Sequence, residues 1–159
     1  MIFITLGSQK FQFNRLLEAV DDLIEKKVIL EDIFAQTGYS DYRPKYYNFK
    51  DFLDHKEYIE METEADIVFT HGGTGAILGA VKKGKKVIAV PRLSEYGEHV
   101  DDHQIQLVRE FEDMGIILAC YDINQLGAVY KKLSTVELNP YVSNQEMIID
   151  SIDDFLKKI

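Results

Sequence analysis

The segment Ala65-Asp66-Ile67-Val68-Phe69-Thr70 and the turn His71-Gly72-Gly73-Thr74-Gly75 that follows it decide the fold of this chain. The first is a short apolar run rich in β-branched residues, which is typical of a buried strand. After the glycine turn, apolar residues at helical spacing continue to Lys82-Lys83-Gly84, a signal for a helix C-terminus. A second apolar run, Lys86-Val87-Ile88-Ala89-Val90, ends at Pro91. Strand, turn, helix and strand together predict a βαβ unit.

The glycine turn lies at the carboxyl end of its predicted strand, where doubly wound sheets bind ligands. The free N–H groups and the dipole of a helix N-terminus favour negative charge, and glycines let a phosphate approach the backbone. Gly72, Gly73 and Gly75 supply this close approach, and Thr74 adds a hydroxyl donor. The turn therefore indicates a phosphate site. The alternative is a tight turn that only lets the helix pack on the strand.

A long polar loop, 91–104, follows the second strand of the unit. Because the carboxyl ends of parallel strands meet at one edge of a sheet, this loop is expected beside the glycine turn. Two polar loops at one edge predict a binding site.

Composition excludes several classes of protein. The chain has 159 residues, enough for one domain with a proper core. Its formal net charge of −9 and pI of about 4.9 argue against binding to nucleic acid. No secretory signal and no run of roughly 20 apolar residues appears, so a cytoplasmic protein is expected. Cys120 lies in an apolar run and is predicted to be a buried core thiol.

The rest of the chain alternates strands and helices. Residues 1–6 predict a first strand, and a polar loop and a helix with Asn14 as its N-cap follow. Residues 39–49 are rich in tyrosine, and this segment is expected either to contact a partner or substrate or to pack its own rings. The last predicted helix, 143–159, packs on the domain or on a partner. The predicted fold is α/β, with a Rossmann-like, mainly parallel sheet and helices on both faces, in one domain spanning 1–159.

Two groups of residues resemble a known family. They are Thr5-Leu6-Gly7-Ser8-Gln9, and His71-Gly72-Gly73-Thr74-Gly75 followed by Glu98-His99-Val100-Asp101-Asp102-His103-Gln104. Together they resemble the C-terminal, donor-binding half of GT-B glycosyltransferases, the glycosyltransferase family 28 C-terminal domain. Within that group the chain is similar to stand-alone subunits: the catalytic subunit of the dolichol-pathway UDP-GlcNAc transferase, and bacterial β-1,4-galactosyltransferase subunits of exopolysaccharide and capsule synthesis.

The resemblance implies roles for individual residues. A donor diphosphate would contact Gly7, Ser8, Gln9, Gly72, Gly73, Thr74 and Gly75, with Arg92 as a further phosphate contact. The donor sugar would contact Asp102, His103 and Gln104. Related full-length enzymes place a ribose-binding glutamate on the helix after the glycine turn, where this chain has Gly79. The ribose contact is therefore expected from elsewhere or absent.

The resemblance also implies a heteromeric enzyme. One such domain is half of a GT-B transferase, so a membrane-associated subunit is expected to bind the lipid-linked acceptor and to recruit this chain to the inner face of the membrane. UDP-sugar is the implied substrate, and no cofactor is predicted. Inverting transfer needs a base on the acceptor hydroxyl. The weak candidates here are His71, Glu98, His99 and Asp102, and the partner is an alternative source of the base.

Other interpretations of the same residues stay open. The cluster Glu98, His99, Asp101, Asp102 and His103 is also compatible with a metal site or a solvated acidic loop. We predict no metal, because adjacent residues seldom all point at one ion and no second ligand group with helical spacing appears. A non-catalytic nucleotide-sugar-binding module and a sugar-nucleotide hydrolase are the alternative functions.

Overall fold

A computed structural model describes residues 1–141 and 152–158. Its strands are β1 (Ile2–Thr5), β2 (Ile33–Gln36), β3 (Asn48–Lys50), β4 (Ile67–His71), β5 (Lys86–Val90) and β6 (Leu118–Ala119). Its helices are α1 (Asn14–Glu25), α2 (His55–Glu64), α3 (Thr74–Lys82), α4 (His103–Asp113) and α5 (Leu126–Lys132). Short 3-10 turns lie at Ser94–Tyr96 and Ile123–Gln125, and residues 152–157 are helical.

All strands belong to one parallel sheet with the order β3-β2-β1-β4-β5-β6. From the central pair β1 and β4, the chain builds the sheet outward in both directions. This reversal is the topological switch point at which open α/β sheets bind ligands. The loops after β1 and β4 flank this switch point. The sheet has the predicted α/β fold, and both loops lie at the edge that was predicted to bind a ligand.

Alternating side chains of the strands feed two cores, one on each face of the sheet. Along β4, Ile67 and Phe69 enter one core and Val68 enters the other. Helices α1 and α5 cover the first core, whereas α2, α3 and α4 cover the second. Because both faces of the sheet are buried, the strand sequences are continuous apolar runs and do not alternate between apolar and polar residues.

Some local predictions differ from the structure. Asn14 is the first residue of α1 rather than its N-cap; its amide instead binds Asp41 and the backbone N–H of Tyr42. A capping box, formed by Asp54 and Glu57, starts α2. Cys120 is buried, as predicted, and burial raises its pKa to about 11.

The predicted C-terminal helix is described only in part. Its predicted start at 143 lies outside the described residues. In the described part, Ile152 is buried in the second core and Phe155 packs against it. This part of the helix therefore packs on the domain. Among residues 1–141 and 152–158, no helix is both long and apolar enough to cross a bilayer.

Candidate functional site

The loops after β1 and β4 meet around the imidazole of His71. Gly7 has a φ of 74°, and a Cβ placed there would lie 2.6 Å from His71 Nε2. A Cβ at Gly73 would come closer still to the same ring. Only glycine fits at both positions, so the ring of His71 holds the two predicted phosphate-binding loops side by side.

His71 is a neutral residue in this setting. Its exposed fraction is 7%, and burial, followed by the charge of Arg92, lowers its pKa to about 3. Its Nδ1 lies 3.4 Å from the side-chain amide nitrogen of Gln104. A general base works best with a pKa near the operating pH, so the predicted role of His71 as a base does not suit this environment.

Helix α3 begins at the glycine turn without a side-chain cap. Gly73 occupies the N-cap position in an extended conformation, and among the described residues no side chain accepts a hydrogen bond from the first helical N–H groups. A Cβ at Gly75 would meet no atom within 4 Å, which leaves the helix start open to solvent. Unpaired N–H groups at an open helix N-terminus form an anion site.

The predicted residues Ser8 and Gln9 are exposed and directly follow Gly7 in the loop after β1. The structure therefore brings the two predicted groups of diphosphate contacts to one place at the switch point.

Gln104 joins the glycine turn to the loop after β5. Its Oε1 accepts hydrogen bonds from the backbone N–H groups of Gly72 and Arg92, both at 3.0 Å. A Cβ at Gly72 would lie 2.8 Å from the Cβ of Gln104, so glycine is required for this approach. Gln104 is buried, and its amide oxygen is occupied by backbone groups. Its assignment to the donor sugar stays a prediction that rests on the resemblance.

The structure differs from the prediction for Arg92. Its exposed fraction is 1%, and its guanidinium lies 5.0 Å from the ring centre of Phe13. It donates hydrogen bonds to the backbone carbonyl oxygens of Leu6, Phe11, Gln12 and Glu98. Burial lowers the pKa of Arg92 to about 10. The guanidinium organises the loop after β1 from inside and does not face the site as a phosphate contact.

Glu98 is also engaged inside the protein. Its carboxylate accepts hydrogen bonds from Arg15 at 2.9 and 3.0 Å and from the backbone N–H of Leu93 at 3.0 Å. The carboxylate is fully buried. This arrangement does not suit the predicted role of Glu98 as a base. Arg15, which the sequence analysis did not single out, links α1 to the loop after β5.

Three of the polar residues in the same loop converge. The rings of His99 and His103 lie 4.7 Å apart and nearly perpendicular, and Asp101 lies between them. Burial, followed by the charge of His103, lowers the pKa of His99, whose ring stacks on Phe11. The neighbouring carboxylate of Asp102 points elsewhere, accepting a hydrogen bond from the backbone N–H of Ser94 at 2.7 Å.

Two exposed aromatic residues lie at the same edge of the sheet. Tyr39 follows β2 and Phe52 follows β3, and their rings pack edge to face with centroids 5.2 Å apart. Tyr39 belongs to the tyrosine-rich segment 39–49, which is expected either to contact a partner or substrate or to pack its own rings, and Phe52 lies outside that segment. The pair remains half exposed.

A carboxylate that the sequence did not indicate lies beside Gly79. Glu62 of α2 is buried, and its Oε1 lies 3.5 Å from the position of a Cβ at Gly79. Its ion-pair partner is the Lys83 ammonium, at 3.4 Å. No sequence signal relates Glu62 to Gly79, because the contact joins two helices.

Comparison with known proteins gives one family match over the full chain. The family model described as the glycosyltransferase family 28 C-terminal domain matches residues 1–159. The chain is also similar to the UDP-N-acetylglucosamine transferase subunit ALG13 of Candida glabrata, with 39% identity over 59 residues. The aligned region is 37% of this chain and 28% of that relative.

Solved structures share the fold. The NMR solution structure of ALG13 has a TM-score of 0.61 and 20% identity, and the match covers 92% of this chain and 91% of that one. The crystal structure of Acinetobacter baumannii MurG has a TM-score of 0.57 and 20% identity, covering 82% of this chain but 40% of MurG. The calicheamicin glycosyltransferase CalG4 has a TM-score of 0.52 and 13% identity, covering 99% of this chain and 43% of CalG4. The sheet matches the C-terminal, Rossmann-like half of GT-B glycosyltransferases.

Proposed function

The chain belongs to the glycosyltransferase family 28 C-terminal domain family, and from this premise we propose that it is the donor-binding, catalytic subunit of an inverting UDP-sugar glycosyltransferase. The proposed reaction transfers galactose from UDP-galactose to an undecaprenyl-diphosphate-linked sugar in exopolysaccharide or capsule synthesis. The choice of galactose and of this acceptor rests on the resemblance of the two sequence motifs to bacterial galactosyltransferase subunits.

The observation that carries the proposal is the open N-terminus of α3 beside the loop after β1. In the proposed complex the diphosphate lies at the loop after β1 and the open start of α3, and the N–H groups at the start of α3 donate to its oxygens. As the sugar leaves, negative charge grows on the β-phosphate. Fixed N–H donors and the helix dipole stabilise this charge more than that of the bound substrate, which is the requirement for catalysis.

Glu62 is proposed to bind the ribose. Glu62 lies in the last turn of α2, and side chains of a helix lean toward its N-terminus, which for α2 is the end at the ligand edge. Its carboxylate lies beside Gly79, where a side chain on α3 would otherwise begin. A carboxylate accepts hydrogen bonds from ribose hydroxyls in other nucleotide-binding folds. Glu62 on α2 thus supplies the ribose contact that Gly79 on α3 cannot make.

The base and the acceptor site are assigned to a second, membrane-associated subunit. His71 has a pKa of about 3 and Glu98 is held by Arg15, so neither suits proton removal from an acceptor. The chain spans 40% of MurG, and the Candida glabrata relative is named as a subunit. Both observations support a partner that supplies the remaining part of the enzyme and recruits this chain to the membrane.

The test adds one carboxylate where the diphosphate is proposed to lie. Gly75 is the better position, because a side chain at Gly73 would collide with His71, whereas Gly75 is open. We expect Gly75→Asp to weaken UDP binding at least about tenfold in calorimetry, since like charges repel. Gly75→Asn, which has the same shape without the charge, is the matched control. Equal UDP affinity in the two variants would contradict the proposed site.

A second function is favoured by the same engagement of His71 and Glu98 inside the protein: a nucleotide-sugar-binding module that only assembles with an enzyme. The two functions differ in a reaction with radiolabelled UDP-sugars and lipid-linked acceptor. If the partner subunit alone transfers sugar as well as the pair does, this chain is the binding module. Release of UDP by this chain without any acceptor would instead indicate a hydrolase.

A further inference from the structure

The loop between the Ser94–Tyr96 turn and α4 gathers two imidazoles and one carboxylate at one point. His99, Asp101 and His103 each offer a ligand atom, and these atoms all lie within 4.8 Å of one another. Asp101 Oδ1 lies 3.4 Å from His99 Nδ1 and also contacts His103 Nδ1. His99 and Asp101 of the loop and His103, the first residue of α4, thus face a common centre, contrary to the expectation that neighbours in this loop would diverge.

The neighbouring carboxylates are occupied elsewhere, which separates this trio from a generally acidic loop. Glu98 is bound by Arg15, and Asp102 accepts a hydrogen bond from the backbone N–H of Ser94. The five polar residues in this segment therefore divide into two that support the loop and three that converge.

The trio is also held in place, and two of its three side chains are open to solvent. The His99 ring stacks on Phe11 with centroids 5.5 Å apart, and the backbone N–H of His103 donates to Asp101 Oδ1 at 3.1 Å. Such outer contacts orient metal ligands in proteins. The side chains of Asp101 and His103 are 50% and 22% exposed, so an ion can reach them.

We propose that His99, Asp101 and His103 bind one divalent transition-metal ion of the Zn²⁺, Co²⁺ or Ni²⁺ class. Two imidazole nitrogens select these borderline ions over Mg²⁺ and Ca²⁺, which prefer oxygen ligands. Three protein ligands leave a coordination position free for water or an oxygen ligand. Metal binding at this site requires no nucleotide, so its test does not depend on the proposed glycosyl transfer.

Binding is tested with the metal alone. The full chain is treated with EDTA, dialysed and titrated with CoCl₂, and the visible absorption of bound Co²⁺ is followed; ZnCl₂ is titrated by calorimetry. We expect one ion per chain in the wild type. We expect His103→Ala and Asp101→Asn each to weaken binding by at least about tenfold, because each removes a ligand or its charge.

His55→Ala is the matched control, since it removes an exposed imidazole at the start of α2. It should bind Co²⁺ as the wild type does. Circular dichroism verifies that each variant is folded, and Asp101→Asn keeps the shape of the side chain if His103→Ala disturbs α4. No stoichiometric binding by the wild type, or binding that these two variants leave unchanged, would overturn the site.

Discussion

The imidazole of His71 fills the space that a side chain at Gly7 would need, because a Cβ at position 7 would lie 2.6 Å from His71 Nε2. Gly7 follows β1 and His71 ends β4, so their contact joins the two strands at the switch point of the sheet.

This contact predicts a large cost for Gly7→Ala. Gly84 is a matched control, because it has the same φ of 74° but no atom within 4 Å of its Cβ position. We expect Gly84→Ala to lower the free energy of unfolding by about 1–2 kcal/mol, from backbone strain alone. Gly7→Ala should cost roughly 1–3 kcal/mol more, from the collision with the ring. Urea denaturation measures both, and equal losses would show that the ring moves aside freely.

The low pKa of His71 predicts a pH dependence of stability. The pKa is about 3 when folded and about 6.5 when unfolded, so below pH 6.5 protons bind the unfolded chain in preference. The contribution of the neutral ring is complete above pH 6.5 and is lost as the pH falls toward 3. Between pH 7.5 and 5 the wild type should lose about 2 kcal/mol more unfolding free energy than His71→Asn, whose side chain does not titrate.

This comparison is made by urea denaturation at both pH values. The carboxylates titrate alike in the two proteins, so their effects cancel in the difference. Parallel pH curves would mean that the His71 ring is protonated, or solvated, in the folded protein.

Glu62 is predicted to sense the ribose. The wild type should bind UDP about tenfold more tightly than 2′,3′-dideoxy-UDP, and Glu62→Gln should lose much of this difference, because an amide is a weaker acceptor than a carboxylate. Glu60→Gln, an exposed change on the same helix, should keep it. Calorimetry with the two ligands separates this role from the phosphate site. If Glu62→Gln discriminates as well as the wild type, the carboxylate does not reach the sugar.

Arg92 is predicted to be a stability residue with an effect on the site. Arg92→Met removes the hydrogen-bond donor of four backbone carbonyls, so the free energy of unfolding should fall by roughly 3–5 kcal/mol. Arg43→Met removes an exposed guanidinium paired with Asp51 and should cost about 1 kcal/mol or less.

The UDP affinity of Arg92→Met should also fall, because the loop after β1 loses its internal support. A variant that unfolds like Arg43→Met would show that the loop is held by other contacts. UDP affinity measured at low temperature, where both variants are folded, separates the loss of stability from the effect on the loop.

Local patterns were sufficient for the fold and for the meeting of the two predicted loops. The strand at Ile67–His71 and the helix from Thr74 follow from apolar spacing and from the glycines between them, which are properties of neighbouring residues. The meeting of the loops after β1 and β4 follows from parallel pairing alone.

These local patterns did not predict the direction in which the side chains point. Arg92 resembles a phosphate ligand in the sequence, yet its partners are carbonyls up to 86 residues away along the chain. The Glu98 carboxylate is paired with Arg15, and the carboxylate of Glu62, a residue of α2, lies beside Gly79 of α3. The convergence of His99, Asp101 and His103 likewise depends on how the loop enters α4. Each depends on packing between distant segments, which one-dimensional spacing does not encode.

The shared amide oxygen of Gln104 has a mechanical consequence. Gln104 Oε1 accepts a hydrogen bond from the backbone N–H of Gly72 and another from that of Arg92. The glycine turn and the loop after β5 are therefore coupled through this one atom. A movement of the glycine turn would therefore also act, through the Gln104 side chain, on the loop after β5 and on the first turn of α4.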